Sequence, residues 1–294
     1  MSTTIKNRYD FVILYDVTNG NPNGDPDTGN MPRMDPETGI GLVTDACLKR
    51  KIRNYVATVK EGQPGYKIYI RRDTPLKESD QEALEYLGIE DIKEAKKTDK
   101  NIEAKIRNFM CSNFYDIRTF GSVMTTFTKA ALNCGQVRGP VQIGFSKSID
   151  PITPQEITLT RVAITTSKDA QEKTTEFGRK FIVPYGLYEA EGYISGNLAA
   201  KVTHFSEEDL ELLWQAIINM FEDDHSAARG NMAVRELIVF KHESILGNAP
   251  SYKLFERIHV HKKAGVSVPR TYGDYEVTID TENLPSGVTC KRMI

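Results

Sequence analysis

The 23 residues from Asn19 to Gly41 constrain this chain more than any others, because they deny it regular structure over a span too long for an ordinary turn. Sixteen of them are Gly, Pro, Asn or Asp. No period of two or of 3.6 runs through them, so the stretch reads as neither strand nor helix. Connections in compact domains usually run roughly 4–6 residues, and structureless ones beyond about 12–15 are functional or disordered. An apolar run, Phe11-Val12-Ile13-Leu14-Tyr15, precedes the loop, and a helix opening at Thr44 or Asp45 follows it. A strand, a shaped loop and a helix N-terminus together form a common place to hold an anion.

The helix adds a second signal. At 100° per residue Leu48, Ile52, Tyr55 and Val56 gather on one face, while Arg50, Arg53 and Asn54 centre on the opposite one, flanked by Lys49 and Lys51. Such a stripe suits phosphate, and it equally suits a solvated surface helix. The adjoining loop favours the first reading.

Composition narrows the classes. With 294 residues the chain exceeds the usual length of one compact domain, so one enlarged domain or two lobes are both compatible. A net charge of −2 argues against indiscriminate nucleic-acid binding, but the charge is uneven. Seven acidic residues and no Lys or Arg lie between Ser206 and Asp224, whereas 49–53 and 161–180 lean basic. One basic face with acidic patches elsewhere fits a polyanion partner or further copies of the same chain.

The four cysteines form no CxxC pair, and His259 with His261 supplies too few ligands for zinc, so no metal site and no cofactor are expected. There is no signal-peptide core and no apolar run approaching 18 residues, which predicts a soluble cytoplasmic protein without a membrane contact. Asp25-Pro26-Asp27-Thr28-Gly29 superficially resembles a calcium loop, but Asn30 and Pro36 stand where an EF-hand needs Gly and Glu. No Ser-His-Asp, HExxH or paired-carboxylate motif is present, so no catalytic residue is assigned. A single loop carboxylate (Asp25, Asp27 or Asp35) that helps hydrolyse RNA leaves no signature and stays open.

Along the chain, residues 8–17 and 66–71 read as strands, 44–59 as a helix, and Asp73 to Met110 as a charged helical insertion. Tyr115 to Gly121, with Asp116 and Arg118, is expected to be extended or a turn. Gln136-Val137-Arg138-Gly139-Pro140 opens an alternating strand through Val141, Ile143 and Phe145 to Asp150. Residues 157–187 form an interrupted hairpin whose tip carries Lys168, Lys173, Arg179 and Lys180 beside Phe177 and Phe181. Cations next to aromatics suit a single nucleic-acid strand, and a surface flap would have the same composition. Glu189–His204 reads as a strand. A helix starts at Ser206 with a core stripe of Leu210, Leu213, Trp214, Ile217 and Phe221, then a small-residue loop containing Arg229. Strands at 234–241, 253–262 and 275–280 complete an α+β pattern, mainly antiparallel.

These residues carry a family resemblance. NGNPNGDPDTGNMPR (19–33) followed by TDACLKRKIR (44–53) resembles the signature of the CRISPR RAMP backbone subunit, the Cas-seven family, in its subtype I-C form. YDIRTFG (115–121), RGPVQIGFS (138–146), FIVPYGLY (181–188) and DHSAARGNM (224–232) resemble the same family in the same order. The resemblance covers nearly the whole chain. It implies an α+β fold with an RRM-like (ferredoxin-like) antiparallel-sheet palm at 1–61, 113–152 and 185–294. A helical finger insertion at 62–112 and a β-hairpin thumb at 153–184 complete it. It implies copies stacked along a CRISPR RNA in a surveillance complex, beside a small RAMP subunit at the guide 5′ end and a large subunit, with target DNA met through guide pairing.

Carried onto this sequence, the RNA-binding set is Asn21, Asn23, Arg33, Lys49, Arg50, Arg53, Arg118, Gln136, Arg138 and Arg229. Lys168, Phe177, Arg179 and Phe181 belong to the base-displacing thumb. A non-enzymatic guide-binding filament subunit is therefore the expectation. A metal-dependent endoribonuclease using a loop aspartate, and a self-assembling protein without nucleic acid, are the alternatives.

Overall fold

A computed structural model describes residues 3–130, 132–161, 176–227 and 229–294, with backbone only at 161, 176 and 177. Its centre is an antiparallel sheet. Strand β1 (Tyr9–Gly20) lies between β10 (Glu176–Ile194) and β11 (Asn231–His242). Beyond β11 lies β14 (Val288–Arg292), and beyond β10 lie β8 (Ser146–Pro151) and then β4 (Ile40–Val43). The short β7 (Val141–Ile143) also pairs with β10.

The continuous apolar run of β1 reflects cover on both faces of this sheet. Phe11, Ile13, Tyr15 and Val17 pack with Leu48, Ile52 and Val56 of α1 (Asp45–Val59), and with Leu213 and Ile217 of α7 (Glu207–Asn219). Val12 and Leu14 point the other way, towards Leu254 and Phe255 of α8 (Ser251–Phe255) and Tyr275 of β13 (Tyr275–Ile279). Strand β13 pairs with β12 (Ile258–Lys262) as a separate ribbon over that face. Helix α7 begins with a capping box, Ser206 and Asp209 each bonding the other's backbone N–H, as the acidic first turn favours.

A helical lobe follows α1 in the chain, made of α2 (Leu76–Leu87), α3 (Ile92–Thr98), α4 (Ile102–Asn113), α5 (Tyr115–Phe120) and α6 (Thr125–Lys129). Its own hydrophobic cluster joins Ala83, Ile106, Met110 and Phe114 to Met124, Phe127, Leu132 and Val137, so it draws on residues after 112 as well as the insertion itself. Strand β10 is 19 residues long. Its second half is core strand beside β1, and its first half leaves the sheet to pair with β9 (Gln155–Arg161). The hairpin arm is thus an extension of a core strand.

Several sequence expectations are corrected. The 19–41 stretch is not structureless: β1 runs on to Gly20, and β2 (Gly24–Asp25) pairs with β3 (Met31–Pro32) around a 3-10 turn, Pro26–Thr28. Polar side chains bonding nearby backbone build that turn without any apolar period. Residues 66–71 form no strand; Lys67 makes one isolated parallel bridge to Phe114. Residues 115–120 are helical and buried. The 136–150 strand is broken into β6 (Gln136–Arg138), which pairs with β5 (Gly121–Val123), then β7 and β8, and Phe145 is exposed. The expected strand 189–204 ends at Ile194 and turns into short helical segments, Gly196–Leu198 and Ala199–Thr203. The expected strand 253–262 begins as helix α8, and β14 was not foreseen.

Candidate nucleic-acid interface

Helix α1 sits where the sequence predicts, because its signals are local. Thr44 caps it by accepting from Cys47 N–H at 3.3 Å. Asn23 reaches back from the loop, its Oδ1 accepting from Thr44 N at 2.9 Å and Thr44 Oγ1 at 3.0 Å. Asp45 occupies the first turn, so the helix N-terminus already has its favourable negative charge.

The four cations of α1 have four different situations. Lys49 pairs with Asp45 at 2.9 Å, one turn earlier. Lys51 is buried and bonds the carboxylate of Asp224. Arg53 is buried, and its Nε donates to Asp116 Oδ2 at 2.8 Å. Arg50 is exposed and makes no hydrogen bond or ion pair among the described residues.

Asp116, at the start of α5, binds more than Arg53. Its Oδ1 accepts from Tyr69 N–H at 2.8 Å and its Oδ2 from Ile70 N–H at 3.0 Å. This clamps the segment entering the helical lobe against α1, and it sets Arg71 and Arg72 across from Arg50. All three line one open cleft of about 890 Å³ together with Lys49, Arg53, Ile70, Asp224 and Arg229. Arg71, like Arg50, is exposed and has no side-chain partner among the described residues. A second recess, about 280 Å³, opens beside it between Asn23, Thr44, Arg50, Asn54 and Arg229. The buried Phe120 ring lies close to two of the cations, with Lys49 Nζ at 5.7 Å and the Arg53 guanidinium at 5.2 Å from its centroid.

The loop after α7 closes the other side. Arg229 Nε lies 2.8 Å from Asp224 Oδ2. The backbone of this loop packs so tightly on Gly20 that a Cβ there would run into the Arg229 carbonyl. Glycine at position 20 is what lets the two polar loops meet.

Other expected site residues fall elsewhere. Arg118 is corrected: α5 turns it inward, and its guanidinium takes both carboxylate oxygens of Asp209 at 2.8 Å and the Cys111 carbonyl at 2.7 Å. Burial works against its charge, but the hydrogen bonds and charge of Asp209 outweigh that and raise its pKa. Asn21 is buried and donates to the Asn30 carbonyl at 2.7 Å, so it shapes the loop. Arg33 is 3.4 Å from Asp25 within the same loop. Gln136 and Arg138 are exposed on β6, with Arg138 paired to Gly121, the residue after Phe120. On the hairpin arm Arg179 is exposed and meets Glu156 at 3.1 Å, and Phe181 is half-buried. Phe177 pairs with Thr160 in register, and Lys168 lies outside the described residues.

The loop aspartates act locally. Asp25 accepts from Asp27 N–H at 3.2 Å. Asp35 accepts from Thr38 Oγ1 at 2.8 Å and Glu37 N–H at 3.0 Å, bonds that hold its pKa below the usual aspartate value. Among the described residues no group of three or more His, Cys, Asp or Glu is arranged to hold a metal, and no helix is long and apolar enough to cross a membrane. Arg71 and Arg72 were the residues sequence reasoning missed. A run of Ile-Tyr-Ile-Arg-Arg carries no mark of its being tied to α1, because the tie is Asp116, more than 40 residues later.

Residues 7–280 match the family described as CRISPR-associated protein Cas7. A relative of that description from Haloferax volcanii is 28% identical over 236 residues, covering 74% of this chain and 66% of its own length. The chain thus spans just under two thirds of that relative. Similar solved structures include a chain of a CRISPR RNA-guided surveillance complex, pre-nicking (TM-score 0.48, 16% identity, 79% of this chain and 75% of that one). Another is a chain of the type III-B Cmr-beta complex bound to cognate target RNA (TM-score 0.43, 11% identity, 79% and 61%).

Proposed function

The chain belongs to the CRISPR-associated Cas7 family, and on that premise we propose that it is a backbone subunit that lines up in copies along a CRISPR RNA. In this reading it grips one segment of guide and presents it for pairing with target DNA within a subtype I-C surveillance complex. A small RAMP subunit at the guide 5′ end and a large subunit are its further partners. The central sheet with α1 and α7 acts as an RRM-like palm (1–61, 113–152 and 185–294), the inserted part of the helical lobe as fingers (62–112), and the β9–β10 arm as the thumb (153–184).

One observation carries this reading: Arg50 and Arg71, from different elements, face a single open cleft with their charges uncompensated by any described side chain. Exposed guanidinium pairs of this kind suit phosphate, which they can bind bidentately. Both faces of the central sheet are covered, so bases have no open sheet on which to stack as in sequence-reading RRM domains. A protein that holds a generic guide should read phosphate and strand shape, leaving sequence to base pairing. Arg50, Lys49, Arg71, Arg72 and Arg229 are the proposed backbone contacts, with Arg53 held by Asp116 as their support and Gln136 and Arg138 at the edge near Phe120. Arg179, Phe181, Phe177 and Lys168 belong to the proposed thumb. No catalytic role is proposed for any residue.

The test is the nucleic acid that travels with the purified protein. Co-expressed with a CRISPR array, the protein should retain protected RNA of uniform length and repeat-spacer sequence. Nucleic-acid-free protein that stays assembled after nuclease treatment would overturn the reading. So would bound RNA that shortens on adding a divalent metal, which would turn attention to Asp25, Asp27 and Asp35 as catalysts.

A further inference from the structure

Phosphate binding leaves one cation of α1 unexplained. Lys51 has a side chain only 4% exposed, its ammonium lies 5.7 Å over the Phe221 ring, and its ion-pair partner is Asp224. It is not among the residues that line the large cleft, and where it borders the smaller recess its ammonium is already taken up by Asp224. Yet a charged lysine is costly to bury, and burial does lower its pKa, against the opposing hydrogen bond it donates to Asp224. Asp224 is equally odd, being a carboxylate that lines both the large cleft and the recess beside it. On electrostatic grounds it should repel the phosphate this cleft is built to hold.

The third member of the group resolves both. Arg229 Nε is 2.8 Å from Asp224 Oδ2, the same oxygen that Lys51 engages from the buried side. The Nε–H also donates to the Asp224 backbone carbonyl at 3.4 Å, and the two terminal nitrogens of Arg229 have no hydrogen bond among the described residues. Arg229 is 35% exposed and lines both concavities. Engagement at Nε leaves the two terminal nitrogens, an edge that can bind phosphate in parallel bonds, without a hydrogen-bond partner among the described residues.

We propose that Lys51 and Asp224 form an internally neutral orienting pair that aims Arg229 at guide phosphate. Asp224 is a positioning residue acting through Arg229, and Lys51 cancels the negative charge that the positioning carboxylate would otherwise bring into an anion-binding cleft. This rests on the RNA-binding reading above and extends it to two residues that act through Arg229. A tether that only holds the 224–230 loop would make each substitution act on stability alone and to the same degree in every background.

The experiment measures binding of the full chain, freed of co-purified RNA, to a single-stranded oligouridine probe over a range of salt. It is run below the melting transition of each variant, with melting temperatures recorded alongside. Arg229→Ala should lower the salt slope by about 0.7, the share of one phosphate contact on a single strand. Arg229→Lys keeps the charge but loses the fork, and should still weaken binding by about fivefold, the worth of one modest hydrogen bond.

Asp224→Asn should weaken binding to a similar degree in the wild-type background and have no further effect on top of Arg229→Ala. Lys51→Met should weaken binding alone and add nothing on top of Asp224→Asn. Asp224→Asn at wild-type affinity, or with an undiminished effect in the Arg229→Ala background, would overturn the proposal. Arg50→Ala with Arg71→Ala serves as the control for the underlying reading. If that pair leaves RNA affinity unchanged, the RNA cleft itself is wrong; if it weakens binding while the cycles are flat, only the orienting pair is.

Discussion

Arg53 Nε donates to the Asp116 carboxylate at 2.8 Å in a setting where Arg53 is 8% and Asp116 1% exposed. The same carboxylate holds the backbone of Tyr69 and Ile70, so one buried ion pair fastens the helical lobe to α1. Asp116→Asn replaces two acceptor oxygens with one and leaves Arg53 a buried cation without a counter-charge. It should cost about 3–5 kcal/mol of stability by denaturant titration, as breaking a buried pair from one side does. It should also weaken RNA binding, because Arg71 and Arg72 lose their fixed place opposite Arg50.

Arg50 and Arg71 should behave in the opposite way. Neither has a partner to leave stranded, so Arg50→Ala and Arg71→Ala should each change stability by no more than about 0.5 kcal/mol. Each should flatten the salt dependence of RNA binding by about 0.7 in log–log slope. Titration of a labelled single-stranded RNA at several salt concentrations checks both, and an unchanged slope would remove that arginine from the interface.

Arg118→Met tests a purely structural arginine. Its guanidinium bridges Asp209 of α7 to the Cys111 and Gly65 carbonyls of the helical lobe. Its loss should cost about 3–5 kcal/mol. The fraction that remains folded should bind RNA with the wild-type salt slope. A slope reduced at wild-type stability would return Arg118 to the RNA-contacting set.

Asp80 gives the lobe a pH signature. Its carboxyl is buried, accepts from Tyr69 Oη at 3.0 Å, and has a pKa raised above 3.8, chiefly by burial. A carboxyl with a raised folded-state pKa binds its proton more tightly folded than unfolded. Stability from this group is therefore greatest below the unfolded value and falls as pH rises through the folded one. Asp80→Asn should remove that downward slope and raise the melting temperature near neutral pH. Melting curves of both proteins across the weakly acidic range decide it.

What was legible in the sequence was whatever depends on neighbours in the chain. The helix start at Thr44 or Asp45, the apolar stripe of α1, the helix start at Ser206 and the core stripe of α7 are all set within about two helical turns, and all appear in the structure. The α+β pattern and the antiparallel sheet followed from alternation and turn residues. Tyr115–Phe120 was missed because its helix owes its existence to burial between two cores. Strand β14 was missed because five residues with one buried side chain carry almost no period.

The candidate site divides the same way. The sequence alone determined that α1 carries four cations within five positions, and that Lys49 has Asp45 one turn away. It did not determine which of the others remain available to a ligand. Lys51 is consumed by a carboxylate 173 residues later and Arg53 by one 63 residues later, while Arg50 is left open and Arg71 is brought to face it. Charge is a property of the residue, but whether that charge is already spent depends on what the fold sets within 3 Å of it, and only the tertiary structure decides that.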